Sequence, residues 1–166
     1  MRWIGISGSW RYQIPELVQD VRREVDRILD EGDGIVTGGA LGVDYWATEQ
    51  VIKRKSWSQI HIVLPTSIEI FLTHYQKRAK EGVITQDQAD ELSIQLELVK
   101  HNNREVIFEL NYKRVNKNSY YLRNSEIIEK SEKLVAFQVN KSKGVQDVID
   151  KARSKNIDVR IFNYTH

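Results

Sequence analysis

Apolar positions along this chain alternate between two rhythms, short unbroken runs and longer stretches that repeat with a helical period of about 3.6 residues. Trp3 to Ser7 is a short run that reads as a buried strand and ends at Gly8. Pro15 then suits the first turn of a helix in which Leu17, Val18, Val21, Val25, Ile28 and Leu29 share one face, while Glu16, Arg22, Arg23, Asp26 and Arg27 take the other. That helix is expected to stop near Gly32 or Gly34. A second strand, Gly34 to Thr37, precedes a glycine-bearing turn and a helix from about Val43 to Lys55. Ile60 to Leu64 is a third strand, closed by Pro65.

The middle behaves differently. From Thr66 to Lys117 the pattern predicts helices and no strand, with Ile68, Phe71, Leu72 and Tyr75 on one and Ala89, Leu92, Leu96 and Val99 on another. NYKRVNKN, Asn111 to Asn118, reads as a polar loop. The alternation resumes with a helix from about Tyr120 to Lys130, a strand Leu134 to Val139, a helix carrying Val145, Val148, Ile149 and Ala152, and a last strand Ile157 to Phe162. Strands separated by helices form right-handed parallel crossovers. The expectation is an α/β protein, one Rossmann-like domain over residues 1–166. Its doubly wound parallel sheet would have about five strands in the order 3-2-1-4-5, with a helical insertion at about 66–117.

Composition narrows the chemistry. The 166 residues hold no Cys, which removes disulfides, thiolate catalysis and Cys-ligated zinc. His61, His74, His101 and His166 lack metal-ligand spacing, so no metal and no cofactor are expected. Lys and Arg total 25 against 23 Asp and Glu, and this balance neither demands nor forbids a polyanionic partner. The opening residues lack the apolar core of a signal peptide and no stretch nears the ~20 apolar residues of a membrane span, so a soluble, cytoplasmic protein with no membrane partner is expected.

In a doubly wound sheet, ligands bind at the carboxyl ends of strands beside the point where winding reverses. Two turns fall there. GISGSWR brings Ser7, Gly8, Ser9, Trp10 and Arg11, which offer hydroxyls, a flat ring and a guanidinium. TGGALGVD brings Thr37, Gly38, Gly39, Ala40, Gly42 and Asp44. A strand-to-helix turn presents backbone N–H groups and the positive end of a helix dipole, which suits phosphate. The same turn can instead be a tight connection in which Asp44 merely caps the helix. Tyr120, Arg123 and Asn124 in YYLRN, and Lys143 and Gly144 after the fourth strand, complete the candidate ligand-binding set. Neither turn spells the dinucleotide fingerprint, so a conventional NAD site is not expected.

These residues resemble the SLOG superfamily, which joins the core of DNA-processing protein A (DprA) and the LOG, or "lonely guy", phosphoribohydrolases. The similarity rests on SGSWR, TGGALGVDYWA, YYLRNSEIIEKSEKLVAF and KGVQDVIDKA, and covers Met1 to Leu64 and Tyr120 to Phe162. TGGALGVD is the most specific piece and places the chain nearer the DNA-processing branch. The resemblance implies a Rossmann-like fold whose ligand is a nucleotide, a nucleotide derivative or single-stranded DNA. The LOG enzymes carry a proline-glycine-glycine-x-glycine-threonine motif with a catalytic Glu after the fourth strand. VNKSKGVQDV has neither the glycine pair nor the Glu, which argues against an enzyme; an N-glycosidic hydrolase would have only Asp44 or a displaced Glu49 to work with.

The first reading is therefore a binding or sensor module for a phosphorylated nucleotide-like small molecule, with Arg11 and Arg123 on phosphate and Trp10 or Tyr120 against the base. Gly39→Val is expected to remove binding without unfolding the chain. The second is single-stranded DNA binding through Arg11, Lys113, Arg114, Lys117, Arg123, Lys141 and Lys143 with Tyr112, Tyr120 and Tyr121. The helices between Thr66 and Lys117 are open to two roles, a lid over the pocket or the surface of a homo-oligomer.

Overall fold

The computed structural model describes residues 1–166. Six parallel strands form one sheet: β1 (Trp3–Gly8), β2 (Gly34–Thr37), β3 (Ile60–Leu64), β4 (Ile107–Glu109), β5 (Lys133–Val139) and β6 (Asp158–Tyr164), in the order β4-β3-β2-β1-β5-β6. The helices are α1 (Pro15–Asp30), α2 (Val43–Lys53), α3 (Ile68–Lys80), α4 (Gln86–Asn102), α5 (Lys117–Glu129) and α6 (Lys143–Ser154).

The period-two rule of a strand sorts each run onto two faces. Ile4, Ile6, Ile35, Ile60, Ile62, Leu64, Val135, Phe137 and Val139 point to one side and pack with the apolar faces of α1 to α4 in the larger core. Leu134 and Ala136 point to the other and meet Ile128 of α5 and Val145, Val148 and Ile149 of α6. Helices on both faces of a parallel sheet make it doubly wound. Winding reverses between the neighbours β1 and β5, whose pairing runs from Ile4↔Lys133 to Gly8↔Phe137. No helix is long and apolar enough to cross a membrane.

Two expectations need correction. The sheet has six strands, because the segment read as wholly helical contains β4, which pairs with β3 as Ile62↔Ile107 and Val63↔Phe108. Residues 65–106 are thus the β3-to-β4 crossover, made of α3, α4 and a short 3₁₀ turn, and β4 and a loop fill the rest of the segment up to α5. At three residues β4 falls below the length at which an apolar run signals a strand. Glu109 within it does a structural job: its Oε2 accepts the Ile68 amide at 2.7 Å, while Arg104 pairs with its other oxygen. The second correction is the start of α5 at Lys117 instead of Tyr120. Asn116 and Ser119 form a reciprocal capping box there, with the Ser119 amide donating to Asn116 Oδ1 at 2.9 Å and the Asn116 amide to Ser119 Oγ at 3.0 Å.

Candidate functional site

The carboxyl ends of β1 and β5 open into a cleft of about 970 Å³. Its walls come from the β1–α1 loop, the helix-proximal part of the β2–α2 turn, α3 with the start of the α3–α4 connection, the first turns of α5, and the head of α6. Of the candidate residues, Ser7, Gly8, Ser9, Trp10, Arg11, Ala40, Asp44, Tyr120, Arg123, Asn124, Lys143 and Gly144 line it. Thr37, Gly38, Gly39 and Gly42 do not.

Those four are buried, Gly38 beneath Arg123, Gly39 against Ile62 and Leu64, and Gly42 where the two glycine turns pack on each other. The Val43 amide donates to the Ser9 carbonyl at 3.2 Å. A Cβ on Gly8 would lie 2.6 Å from Val43 Cβ, and one on Gly42 would lie 2.5 Å from Trp10 Cα. Three amides of the β2–α2 turn, those of Gly38, Gly39 and Ala40, are already engaged. Asp44 Oδ2 accepts from Ala40 at 3.2 Å and its carboxylate also accepts from Gly38, while Gly39 donates to Thr37 Oγ1 at 3.3 Å. Asp44 is therefore the internal anion of the β2–α2 turn; it does not cap the helix, because the N-cap of α2 is Gly42, no side chain caps the first turn, and the amides Asp44 accepts from lie ahead of the helix. Gly39 has φ +66° and a Cβ there would meet Leu64 Cδ2 at 2.8 Å and Ile62 Cγ2 at 2.9 Å, so Gly39→Val disrupts the core and does not leave the fold intact as expected.

Arg123 ties the site together. It is 7% exposed, and its Nη1 donates to the carbonyls of Gly38 and Val63, anchoring α5 across the ends of β2 and β3. Its Nε donates to Asn124 Oδ1 at 3.3 Å, and Asn124 in turn donates to Asp147 at 3.2 Å. The guanidinium carbon lies 5.1 Å from the centre of the Tyr120 ring. Burial raises the Asp44 carboxyl above the ordinary range, and Arg123 is the largest influence opposing it.

The electrostatic balance of the lining is one-sided. Arg11, Arg78, Lys117, Arg123 and Lys143 line the cleft, and Asp44 is the sole carboxylate among the lining residues. Arg78 alone of these cations forms an ion pair, with Glu81 at 3.1 Å. Glu49, the displaced carboxylate weighed from sequence, is not part of the lining; it pairs with Arg22 and Lys53, each at 3.1 Å. Lys113, Arg114 and Lys141 also stand outside it. Trp10 is 39% exposed at the rim, with the Arg11 guanidinium 5.0 Å from its ring. Tyr120 is held more deeply, its hydroxyl 3.4 Å from that of Tyr75.

Sequence reasoning missed His74, Tyr75 and Arg78 of α3, which form one wall. A signal was present: Phe71, Tyr75 and Arg78 recur at i, i+4 and i+7, a helical face that begins apolar and ends in a cation. Ser142 was also overlooked; its Oγ is buried without a partner at the N-cap of α6.

No protein-family model matches the sequence, and no curated protein matches it. Solved structures do. DNA-processing protein A from Helicobacter pylori, described for its single-stranded DNA binding mode, superposes with a TM-score of 0.69 at 21% identity over 96% of this chain and 64% of that one. The molybdenum cofactor binding protein from Rippkaea orientalis gives 0.61 at 16% identity, over 98% of this chain and 76% of that one. DNA-processing protein A from Streptococcus pneumoniae gives 0.56 at 14%, over 96% and 58%. The chain spans less than two thirds of both DNA-processing proteins, 64% and 58% of their lengths. At these identities the likeness is one of fold, and the fold that this chain shares with DNA-processing protein A is the one its resemblance to the SLOG superfamily implies.

Proposed function

We propose that the cleft binds a phosphorylated nucleotide-like small molecule. The observation that carries this reading is the surplus of cations over a single carboxylate, with that carboxylate already turned toward backbone amides. Trp10 offers a face for a base at the rim. Arg11, Lys143 and the first-turn amides of α6 receive phosphate, and Arg123 places a desolvated positive charge beneath it, where charge–charge attraction is screened least. Phosphate recognition thus moves from the β2–α2 turn to the opposite wall of the same cleft.

The test is a titration of the purified protein with nucleoside mono- and diphosphates, read by calorimetry and by thermal shift. Arg11→Ala is expected to weaken binding by about tenfold, the range of one charge-assisted hydrogen bond, and to leave the melting temperature of the ligand-free protein unchanged. Arg11 makes no ion pair that stability would miss; its backbone amide meets Ser9 Oγ. If no nucleotide shifts the melt and native mass spectrometry finds no copurified ligand, the reading fails.

A second reading is favoured by one observation, the fold shared with a protein described for binding single-stranded DNA. The two differ in salt dependence. A strand lying across Arg11, Lys117 and Lys143 would lose affinity with a logarithmic slope of about −0.7 per phosphate neutralised, steeper the more phosphates the protein contacts.

A further inference from the structure

Helix α3 turns toward the cleft a set of donors that the rest of the protein leaves without acceptors. Arg78 Nε is buried and makes no hydrogen bond. Its guanidinium meets Glu81 through Nη1, at 3.1 Å. Three residues back along the same side, the Tyr75 hydroxyl lies 3.4 Å from that of Tyr120, bridging α3 to α5. Burial raises the pKa of both phenols, so each keeps its proton at neutral pH. One can donate to the other, and the second proton then has no acceptor within the protein. Arg123, 7% exposed, directs Nε and Nη1 to Asn124, Gly38 and Val63, while its Nη2 makes no hydrogen bond.

These four side chains form one cluster. Arg123 and Arg78 both act on the Tyr120 hydroxyl, each lowering its pKa against the effect of burial. All the unused groups are donors, two of them on guanidinium ions. Desolvated donors left unmade are unfavourable, and a guest with several negatively charged oxygens satisfies them together. Of the side-chain atoms in the molecule that are buried without a partner, two belong to cleft residues on different elements, Arg78 Nε on α3 and Ser142 Oγ at the head of α6. A guest that satisfies both needs acceptor groups at two places.

We propose that Arg78, Tyr75, Tyr120 and Arg123 form a second phosphate subsite, so that the ligand is a nucleotide carrying two separated phosphate groups. One group lies at the rim with Arg11 and Lys143, the other between Arg78 and Arg123. This rests on the nucleotide reading above and specifies its ligand class.

Calorimetry with a nucleoside 5′-monophosphate and the matching 3′,5′-bisphosphate tests it on wild type, Arg78→Gln and Glu81→Gln. Wild type is expected to prefer the bisphosphate by about tenfold or more. Arg78→Gln brings that ratio close to one, and Glu81→Gln raises it by releasing Arg78 from its carboxylate. Because the Arg78 and Glu81 side chains are 37% and 38% exposed, both variants are expected to fold, and ligand-free melts check this. A wild type that does not discriminate, or a ratio that survives Arg78→Gln, overturns the subsite while leaving nucleotide binding in place. If neither nucleotide binds, the nucleotide reading falls, and inorganic phosphate becomes the probe. Broadening of its phosphorus resonance by wild type but not by Arg78→Gln keeps the cluster as an anion site; no broadening removes it as well.

Discussion

Gly42→Ala is expected to cost about 3–5 kcal/mol of folding stability, more than any single change to the rim of the cleft. Two effects add. Gly42 sits at φ +74° and ψ −128°, a region open in practice to glycine alone, where another residue costs on the order of 1–3 kcal/mol. Its missing Cβ also makes room for backbone, since a Cβ would lie 2.5 Å from Trp10 Cα and 3.1 Å from the Ser9 carbonyl carbon. A flexible side chain could swing away from such a contact, but this backbone is pinned by the Val43 amide to Ser9 carbonyl bond and the Ser9 amide to Phe137 carbonyl bond. The melting temperature should fall on the order of 10 °C. Gly32→Ala and Gly82→Ala supply the controls. They have φ of +81° and +76° with nothing within 4 Å of a Cβ, so they isolate the backbone contribution at about 1–2 kcal/mol each. A Gly42→Ala melt no lower than theirs would mean that the turns are not interlocked.

That interlock explains why the glycine motifs were legible as a place and misleading as a mechanism. GISGSW and TGGALGVD mark close approach, and close approach does occur, but between the two turns themselves. A glycine in a sequence reports that space is needed, not what fills it. Val43 lies against Gly8, Trp10 against Gly42, and the Asp44 carboxylate occupies the Gly38 and Ala40 amides of the turn. The strands were legible for the opposite reason. Ile4, Ile6, Ile35, Ile60, Ile62 and Val135 are β-branched and buried, and short runs of such residues between helical stretches have few other readings. Strand β4 escaped because three residues at a sheet edge carry too little periodicity. The α3 wall escaped because Tyr75 and Arg78 belong to an apolar face that looks like core until the crossover is folded over the strand ends. Arg123 was legible as a cation near the ligand, but not as the side chain that joins α5 to β2 and β3, since its acceptors are main-chain carbonyls 85 and 60 residues away.

That dual position makes Arg123→Met the most informative change to the buried charges. Asp44 is 7% exposed and Arg123 is the largest influence holding its carboxyl pKa down. Removing the guanidinium leaves a buried carboxylate without a compensating charge and the Gly38 and Val63 carbonyls without donors. The loss is expected at about 3–5 kcal/mol at neutral pH. Its dependence on pH separates the charge from the lost hydrogen bonds. In wild type the folded pKa of Asp44 already lies above the unfolded value of 3.8, so the folded state binds more protons than the unfolded state just above that pH and stability falls as pH rises. Arg123→Met lifts the folded pKa further and widens that window upward, so the deficit against wild type should be small in acid and grow toward neutrality. In the Arg123→Met, Asp44→Asn double variant nothing titrates at this position, and an amide oxygen still accepts from the turn. The deficit of the double variant should therefore be smaller at neutral pH and independent of pH, leaving the share due to the two carbonyls. Urea melts of the three proteins between pH 4 and 8 measure this, and an Arg123→Met profile parallel to that of wild type would show that Asp44 and Arg123 are not electrostatically coupled.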